Sequence, residues 1–264
     1  MKIIISPAKN LREEYLDLGF MEEKELYFPK ENKELEKYLY NKNIDEINRI
    51  WKISDKLAKE SLERYRTASG NNEYRFAIEL YNGAVYKNLA VEELSRDDFN
   101  YLNRNLRIIS AYYGLLRPNN RILPYRLEMD STIDFKLDNN IYKSLYEYWG
   151  NKVCDKLVAE LSQDENEFII NLASKNYAKL ILKHLQKDIP IYEILFYCLR
   201  KGKSKDEYKN IATIAKIQRG KILRYLTDNR VEDIDGVKEY TGDGFTYDFE
   251  LSDNDKIVFV RDER

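Results

Sequence analysis

Short apolar runs that end in small or polar residues alternate with longer helical patterns along this chain. The predicted strands cover residues 2–5, 106–110, 168–171, 189–197 and 256–260. The predicted helical segments cover residues 33–67, 74–105, 141–163 and 209–228, with breaks at 41–43, at 82–83 and near Gly150. Because no repeat, low-complexity tract or linker divides the 264 residues, we expect one compact domain, 1–264, of mixed α/β (α+β) structure.

Composition excludes several classes of function. A net charge of −2 argues against a surface that is basic overall and binds nucleic acid, although a local basic patch is still compatible with this charge. Cys154 and Cys198 lack metal-ligand spacing and are typical of reduced, buried thiols. His184 is the only histidine, which excludes a histidine-rich metal site and disfavours a Ser-His-Asp triad. With no bilayer-spanning run and no signal peptide, we predict a cytoplasmic protein without membrane, metal or cofactor.

Polar residues follow several predicted strands, where α/β folds place ligand groups. Lysine and arginine side chains there suit phosphate or carboxylate, and tyrosine rings can stack on bases. The predicted ligand- or anion-binding residues are Ser6, Lys9, Asn82, Tyr86, Arg117, Tyr125, Arg126, Asn171, Ser174, Lys216 and Arg219. Glu128 and Lys9 are the candidate catalytic groups, with Glu128 as general acid or base.

Each of these motifs also has a purely structural interpretation. Lys9 could be a solvated loop lysine, and Asn82-Gly83 could end one helix through a left-handed turn. A contact between Arg126 and Glu128 could serve only to hold in place the loop that carries them. Ser174 could cap the next helix. The residues alone leave these alternatives open.

The segment from residue 200 to 230 is strongly basic and is the best electrostatic candidate for a nucleic-acid surface. Lys216 and Arg219, with Arg224 about two turns beyond Lys216, fall close together on a helix. Gly220 costs about 1 kcal/mol relative to alanine in a helix interior. Its presence there predicts close packing or the approach of a ligand.

Taken together, the motifs resemble the YaaA family of bacterial peroxide-stress proteins. The resemblance covers nearly the whole chain and rests on an ordered set of short matches. These are Ser6-Pro7-Ala8-Lys9, Ile53-Ser54-Asp55-Lys56-Leu57, Asn82-Gly83 with Val85-Tyr86, Tyr113-Gly114-Leu115-Leu116-Arg117-Pro118, Pro124-Tyr125-Arg126-Leu127-Glu128-Met129, Leu145-Tyr146 with Trp149-Gly150, Asn171-Leu172-Ala173-Ser174, Lys216 with Arg219-Gly220, and Val258-Phe259 with Arg261.

The resemblance implies a single-domain fold peculiar to the family, with a helix-hairpin-helix-like element that binds double-stranded or branched DNA without reading its sequence. The matching element here is residues 33–67, broken at 41–43. Lys52, Lys56 and Lys59 on its second helix, with Arg224, are the predicted DNA-binding residues. The family is also associated with limiting free iron during peroxide stress, and we expect that effect to be indirect because no iron site is visible.

Two hypotheses from different classes remain. The first is a protein that binds DNA and limits oxidative damage, with affinity that falls steeply with salt. The second is an enzyme that acts on a nucleotide, nucleobase or other small anion in a cleft lined by lysine, arginine and tyrosine. A binding module without catalysis is a third. Dependence of function on Glu128 and Lys9 would favour the enzyme, and dependence on the basic helices would favour the DNA-binding protein.

Overall fold

The computed structural model describes residues 1–51, 54–56, 58–59, 61–63, 74–137, 140–200 and 207–262. The strands in these ranges are β1 (Lys2–Ile5), β2 (Arg75–Phe76), β3 (Leu106–Ser110), β4 (Gly114–Leu116), β5 (Arg121–Ile122), β6 (Thr132–Leu137), β7 (Asn140–Ser144), β8 (Ile169–Asn171), β9 (Ile191–Arg200), β10 (Glu207–Lys209), β11 (Thr246–Tyr247) and β12 (Lys256–Asp262). The helices are α1 (Pro29–Tyr40), α2 (Ile44–Trp51), α3 (Ala77–Leu80), α4 (Ala84–Leu89), α5 (Arg96–Asn105), α6 (Leu145–Trp149), α7 (Lys152–Leu161), α8 (Lys175–Leu182), α9 (Ala212–Asp228) and α10 (Ile234–Lys238).

A mainly parallel sheet of eight strands forms the centre of the fold. Its order is β11-β12-β9-β8-β1-β3-β4, and β10 pairs with β9. The five strands from β12 to β3 run parallel, whereas β4, β10 and β11 pair antiparallel. Ile3, Ile4 and Ile5 are fully buried, as expected for a strand that is covered on both faces. The prediction of a single compact domain of mixed α/β structure is confirmed.

The strand register assigns side chains to the two faces of this sheet. Arg107 of β3 and Asn171 of β8 are register partners of the same residue of β1, and Asn171 in turn pairs with Glu193 of β9. These three side chains therefore share one face, because side chains alternate along a strand. Arg107 bonds to Glu160 of α7, so α7 covers this face. Phe196, three residues beyond Glu193, points to the opposite face.

The predicted turn between two helices at residues 41–43 is confirmed. α1 ends at Tyr40 and α2 begins at Ile44. Asn43 caps α2: its Oδ1 accepts from the Glu46 N–H at 3.0 Å, and the Glu46 carboxylate accepts from the Asn43 N–H at 2.9 Å. Such a reciprocal pair satisfies two donors at the start of a helix. The motif at 53–57 and the predicted end at residue 67 lie partly or wholly outside the described residues.

The structure corrects three stretches of the predicted secondary structure. Residues 74–105 were predicted helical apart from the break at 82–83, but Arg75–Phe76 is a strand that pairs with β5. Residues 141–163 were predicted helical with a break near Gly150, but Asn140–Ser144 is a strand that pairs with β6. Along β6 the buried Ile133 and Phe135 alternate with exposed neighbours, which is the period of a strand. The segment after β3 lies outside the predicted strands and helices, but Gly114–Leu116 and Arg121–Ile122 form short strands. Within the described ranges, no helix is long and apolar enough to cross a membrane.

Candidate functional site

The carboxyl ends of β1 and β8 meet through two serines. The Ser174 N–H donates to Ser6 Oγ at 2.9 Å, and Ser6 Oγ donates to Ser174 Oγ at 3.2 Å. Ser174 stands at the N-cap position of α8, as predicted, but its side chain makes no capping hydrogen bond. Its hydroxyl therefore holds the loop after β1 against the start of α8.

The Asn82-Gly83 break lies directly against that same loop. The Asn82 N–H donates to the Asn10 carbonyl at 2.9 Å. Gly83 has an extended backbone with φ −101°, so the left-handed turn considered for it is not found. A Cβ at Gly83 would lie 2.8 Å from the Ala8 Cβ, and glycine is therefore needed for the close approach of the two segments.

Lys9, Arg126 and Glu128 come together on the outer side of the loop. Lys9 Nζ lies 3.9 Å from a Glu128 carboxylate oxygen, with the lysine side chain 63% exposed. Arg126 Nη1 donates to the Lys9 carbonyl at 3.5 Å, and the Tyr177 hydroxyl donates to Glu128 at 3.5 Å. The Arg126 Nε atom is buried and has no acceptor. Two cations, one carboxylate and an unused guanidinium donor thus share one site.

Tyr86 and Tyr125 form the floor of this site. Tyr86 is fully buried and donates to the Ser6 carbonyl at 3.0 Å. Tyr125 Oη lies 2.8 Å from Tyr81 Oη and 2.7 Å from Ser110 Oγ. Burial raises the pKa of Tyr125 to about 12 and that of Tyr86 well above its ordinary value. In place of the predicted stacking on a ligand, both rings are enclosed by protein and fix the backbone beneath the site.

Helix α9 reaches the site through Gly220. A Cβ at this position would lie 2.4 Å from the Val85 carbonyl oxygen and 2.7 Å from the Asn88 Cβ. The close packing predicted for Gly220 is confirmed, and its partner is α4, which carries Tyr86. Arg219 is half-buried, and its Nε has no acceptor. Desolvation lowers the pKa of Arg219, an effect that the Glu193 carboxylate partly offsets.

Three predicted residues lie outside this group of contacts, and one of them, Asn171, accepts a hydrogen bond from the Ala173 N–H at 3.0 Å. Arg117 donates to Glu160 at 2.7 Å and stacks on Tyr27. Because β4 runs antiparallel to β3, it returns Arg117 to the amino end of β3, away from Ser6 and Ser174. Lys216 is exposed on α9 and makes no ion pair with any described residue.

The predicted DNA-binding residues lie in varied surroundings. Lys52 is outside the described residues. Lys56 and Lys59 are exposed, but Asp45 and Asp55 line the same groove. Arg224 donates to the Leu89 and Ala90 carbonyls and to Asp228, so it ties α9 to the end of α4.

Three basic residues described between residues 200 and 230 are paired with carboxylates. Lys221 bonds to Asp243 at 2.6 Å. Arg230 pairs with Asp98 at 2.8 Å. Together with Arg224, these pairs leave α9 with less free positive charge than its sequence indicates.

A lysine-rich groove between α1 and the β6–β7 hairpin was missed by the sequence analysis. Its volume is about 620 Å³. Its charged lining residues are Lys30, Lys33, Glu34, Lys37, Lys42 and Lys136. The signal was present in the sequence, because residues 30, 33 and 37 lie on one face of a helix. The predicted helix began at residue 33, however, whereas α1 begins at Pro29.

These features define a single-domain α/β protein whose polar residues gather at the carboxyl edge of a mainly parallel sheet. A family model described as peroxide stress protein YaaA matches residues 1–251. A UPF0246 protein of Clostridium beijerinckii is 37% identical over 265 residues, 99% of this chain and 98% of its own. Another, of Crocosphaera subtropica, is 34% identical over 263 residues, 99% of this chain and all of its own. The chain belongs to the YaaA family of peroxide stress proteins.

Proposed function

We propose that this member of the YaaA family binds double-stranded or branched DNA without reading its sequence. The observation that carries the proposal is the charge of the α1 groove, where five lysines and one glutamate line about 620 Å³. A local basic groove on a chain of net charge −2 gives a partner of opposite sign one preferred place to bind.

Two of these lysines are free to reach phosphates. Lys33 and Lys37 are exposed on adjacent turns of α1 and make no ion pair with any described residue. Lysine–phosphate contacts position a protein on DNA but carry no sequence information. Bound protein would cover DNA during peroxide stress and so limit oxidative damage, and any effect on free iron would be indirect. The family name supports the stress response, and the groove supports the binding.

The proposal is tested by titrating a short fluorescent duplex and measuring its anisotropy. Lys33→Glu combined with Lys37→Glu is expected to weaken binding by about tenfold or more, because two attractive contacts become repulsive. The matched control is Lys183→Glu with Lys187→Glu, two exposed lysines with the same spacing at the end of α8. An equal loss in both pairs would contradict a role for the groove.

A second candidate function is an enzyme that acts on a nucleotide, nucleobase or other small anion at the sheet edge. It is favoured by the buried Nε atom of Arg126, which has no acceptor. An unpaired buried donor is costly, and an oxyanion would satisfy it. Glu128 would serve as general acid or base, and Lys9 would hold the anion.

Binding at this edge is tested by thermal unfolding with inorganic phosphate as the probe. Phosphate is expected to raise the melting temperature of the unmodified protein by mass action, and Arg126→Gln is expected to remove the rise. Arg121→Gln changes an exposed arginine outside the site and is the control. If Arg126→Gln keeps the full rise in melting temperature, Arg126 does not bind the anion.

A further inference from the structure

A second cavity, of about 390 Å³, lies between the end of α8 and strands β8, β9 and β12. Part of its lining is apolar, and the rest carries two amides, two carboxylates and two lysine side chains. The residues that matter for the argument are Asn171, Leu182, Leu185, Ile189, Ile191 and Glu193. Of the residues predicted from the sequence, Asn171 alone lines this cavity. Its volume falls within the range of small-molecule sites.

The orientation of the Asn171 amide is fixed by the backbone. Asn171 is only 3% exposed, and its Oδ1 accepts from the Ala173 N–H at 3.0 Å. The opposite end of the amide, Nδ2, is therefore a donor that borders the cavity. Nδ2 has no acceptor among the described residues and is not among their enclosed unpaired atoms, so it is open to the cavity. This leaves one N–H group available to a ligand.

Glu193 places an acceptor beside that donor. The two residues are register partners on the parallel strands β8 and β9, so their side chains lie on one face about 4.8 Å apart at the backbone. Arg219 and Lys256 interact electrostatically with the Glu193 carboxylate. No described residue donates a hydrogen bond to it. The cavity thus offers a neutral N–H donor next to an anionic acceptor.

We propose that this cavity binds a flat heteroaromatic ring with a lactam edge, of the 6-oxopurine type. In such a ring a carbonyl and an N–H are adjacent, so Asn171 Nδ2 donates to the carbonyl while Glu193 accepts from the ring N–H. The ring faces pack against the leucines of the α8 end and the isoleucines before and within β9. This inference rests on neither DNA binding by the α1 groove nor the oxyanion site of Arg126.

Calorimetric titration with hypoxanthine, the simplest 6-oxopurine, tests the proposal. Two analogues test the lactam edge: 1-methylhypoxanthine lacks only the ring N–H at N1, whereas purine lacks both that N–H and the carbonyl. Each is expected to bind at least about tenfold more weakly, because at least one polar group of the protein is then left unpaired. Failure of hypoxanthine to bind at millimolar concentration, or equal affinity for hypoxanthine and purine, would overturn the proposal.

Variants at the two polar residues locate the binding. Asn171→Asp keeps an acceptor for the Ala173 N–H but replaces the free donor with an acceptor, and it is expected to weaken hypoxanthine binding about tenfold to hundredfold. Glu193→Gln removes the charge and is expected to cost about tenfold. If Asn171→Asp does not fold, hypoxanthine binding by Glu193→Gln, which changes a half-exposed residue, tests the proposal by itself.

The controls separate this site from the proposed function. Glu167→Gln changes an exposed carboxylate outside the cavity, and it should leave hypoxanthine binding unchanged. Duplex binding measured by anisotropy should be unchanged in Asn171→Asp and Glu193→Gln. Unaltered hypoxanthine affinity in Glu193→Gln and in a folded Asn171→Asp would refute the assignment whatever the DNA measurements give.

Discussion

Replacing Glu160 with glutamine is expected to lower the free energy of unfolding by about 3–5 kcal/mol. The Glu160 carboxylate bonds to Arg107 at 2.6 Å and to Arg117 at 2.7 Å, and it accepts from the Tyr27 hydroxyl. Arg107 is 4% exposed in its side chain, so loss of the carboxylate leaves a buried cation without a counter-charge. Urea unfolding at neutral pH measures the effect. Glu167→Gln, which changes an exposed carboxylate, should alter stability by less than about 0.5 kcal/mol.

The stabilising effect of the Glu160 carboxylate depends on pH. Burial alone would raise the pKa of Glu160, but hydrogen bonds from Arg107 and Tyr27 and the two guanidinium charges outweigh it and lower the pKa from 4.5 to about 2. Its contribution to stability is therefore complete above pH 4.5 and is lost as the pH falls towards 2. The stability difference between the unmodified protein and Glu160→Gln should shrink across that window. A difference that stays constant down to pH 2 would contradict the pairing.

Gly220→Ala is expected to destabilise the protein by about 1–3 kcal/mol, although alanine is the better helix former. The new methyl group would lie 2.4 Å from the Val85 carbonyl oxygen, so α4 and α9 would have to separate. Because α4 carries Tyr86, which bonds to the Ser6 carbonyl, the separation would also disturb the loop that holds Lys9.

The matched control for Gly220→Ala is Gly19→Ala. At Gly19 the nearest atom to an added Cβ is the Asp17 Oδ1, at an ordinary 3.4 Å. We expect the unfolding midpoint to fall clearly for Gly220→Ala and to change little for Gly19→Ala. An unchanged or raised midpoint for Gly220→Ala would show that α4 and α9 do not pack as closely as described.

Much of the sheet could be predicted because its signals are local. The runs at Lys2–Ile5 and Leu106–Ser110 are rich in leucine and isoleucine, and both form buried strands. Strands β4 and β6 were missed for different reasons. Gly114–Leu116 is too short to show a period, and the alternation in Thr132–Leu137 was overlooked beside the apolar pattern that follows it.

The candidate site was predictable only where strand direction was certain. Lys9 follows a strand that runs parallel to its neighbours, so its position at the carboxyl edge could be expected. Arg117 follows an antiparallel strand, and the direction of a strand depends on pairing that no local pattern records. The burial of Tyr86 and Tyr125 was equally hidden, because tyrosine is common both in cores and at binding sites.

The salt dependence of duplex binding tests the central proposal, DNA binding by the α1 groove, most directly. Each phosphate contact contributes about −0.9 to the slope of log affinity against log salt concentration. Lys33→Ala with Lys37→Ala should therefore make the slope less negative by about 1.8, while Lys183→Ala with Lys187→Ala should leave it unchanged. The same slope for the unmodified protein and the Lys33→Ala, Lys37→Ala variant would contradict phosphate binding in the groove.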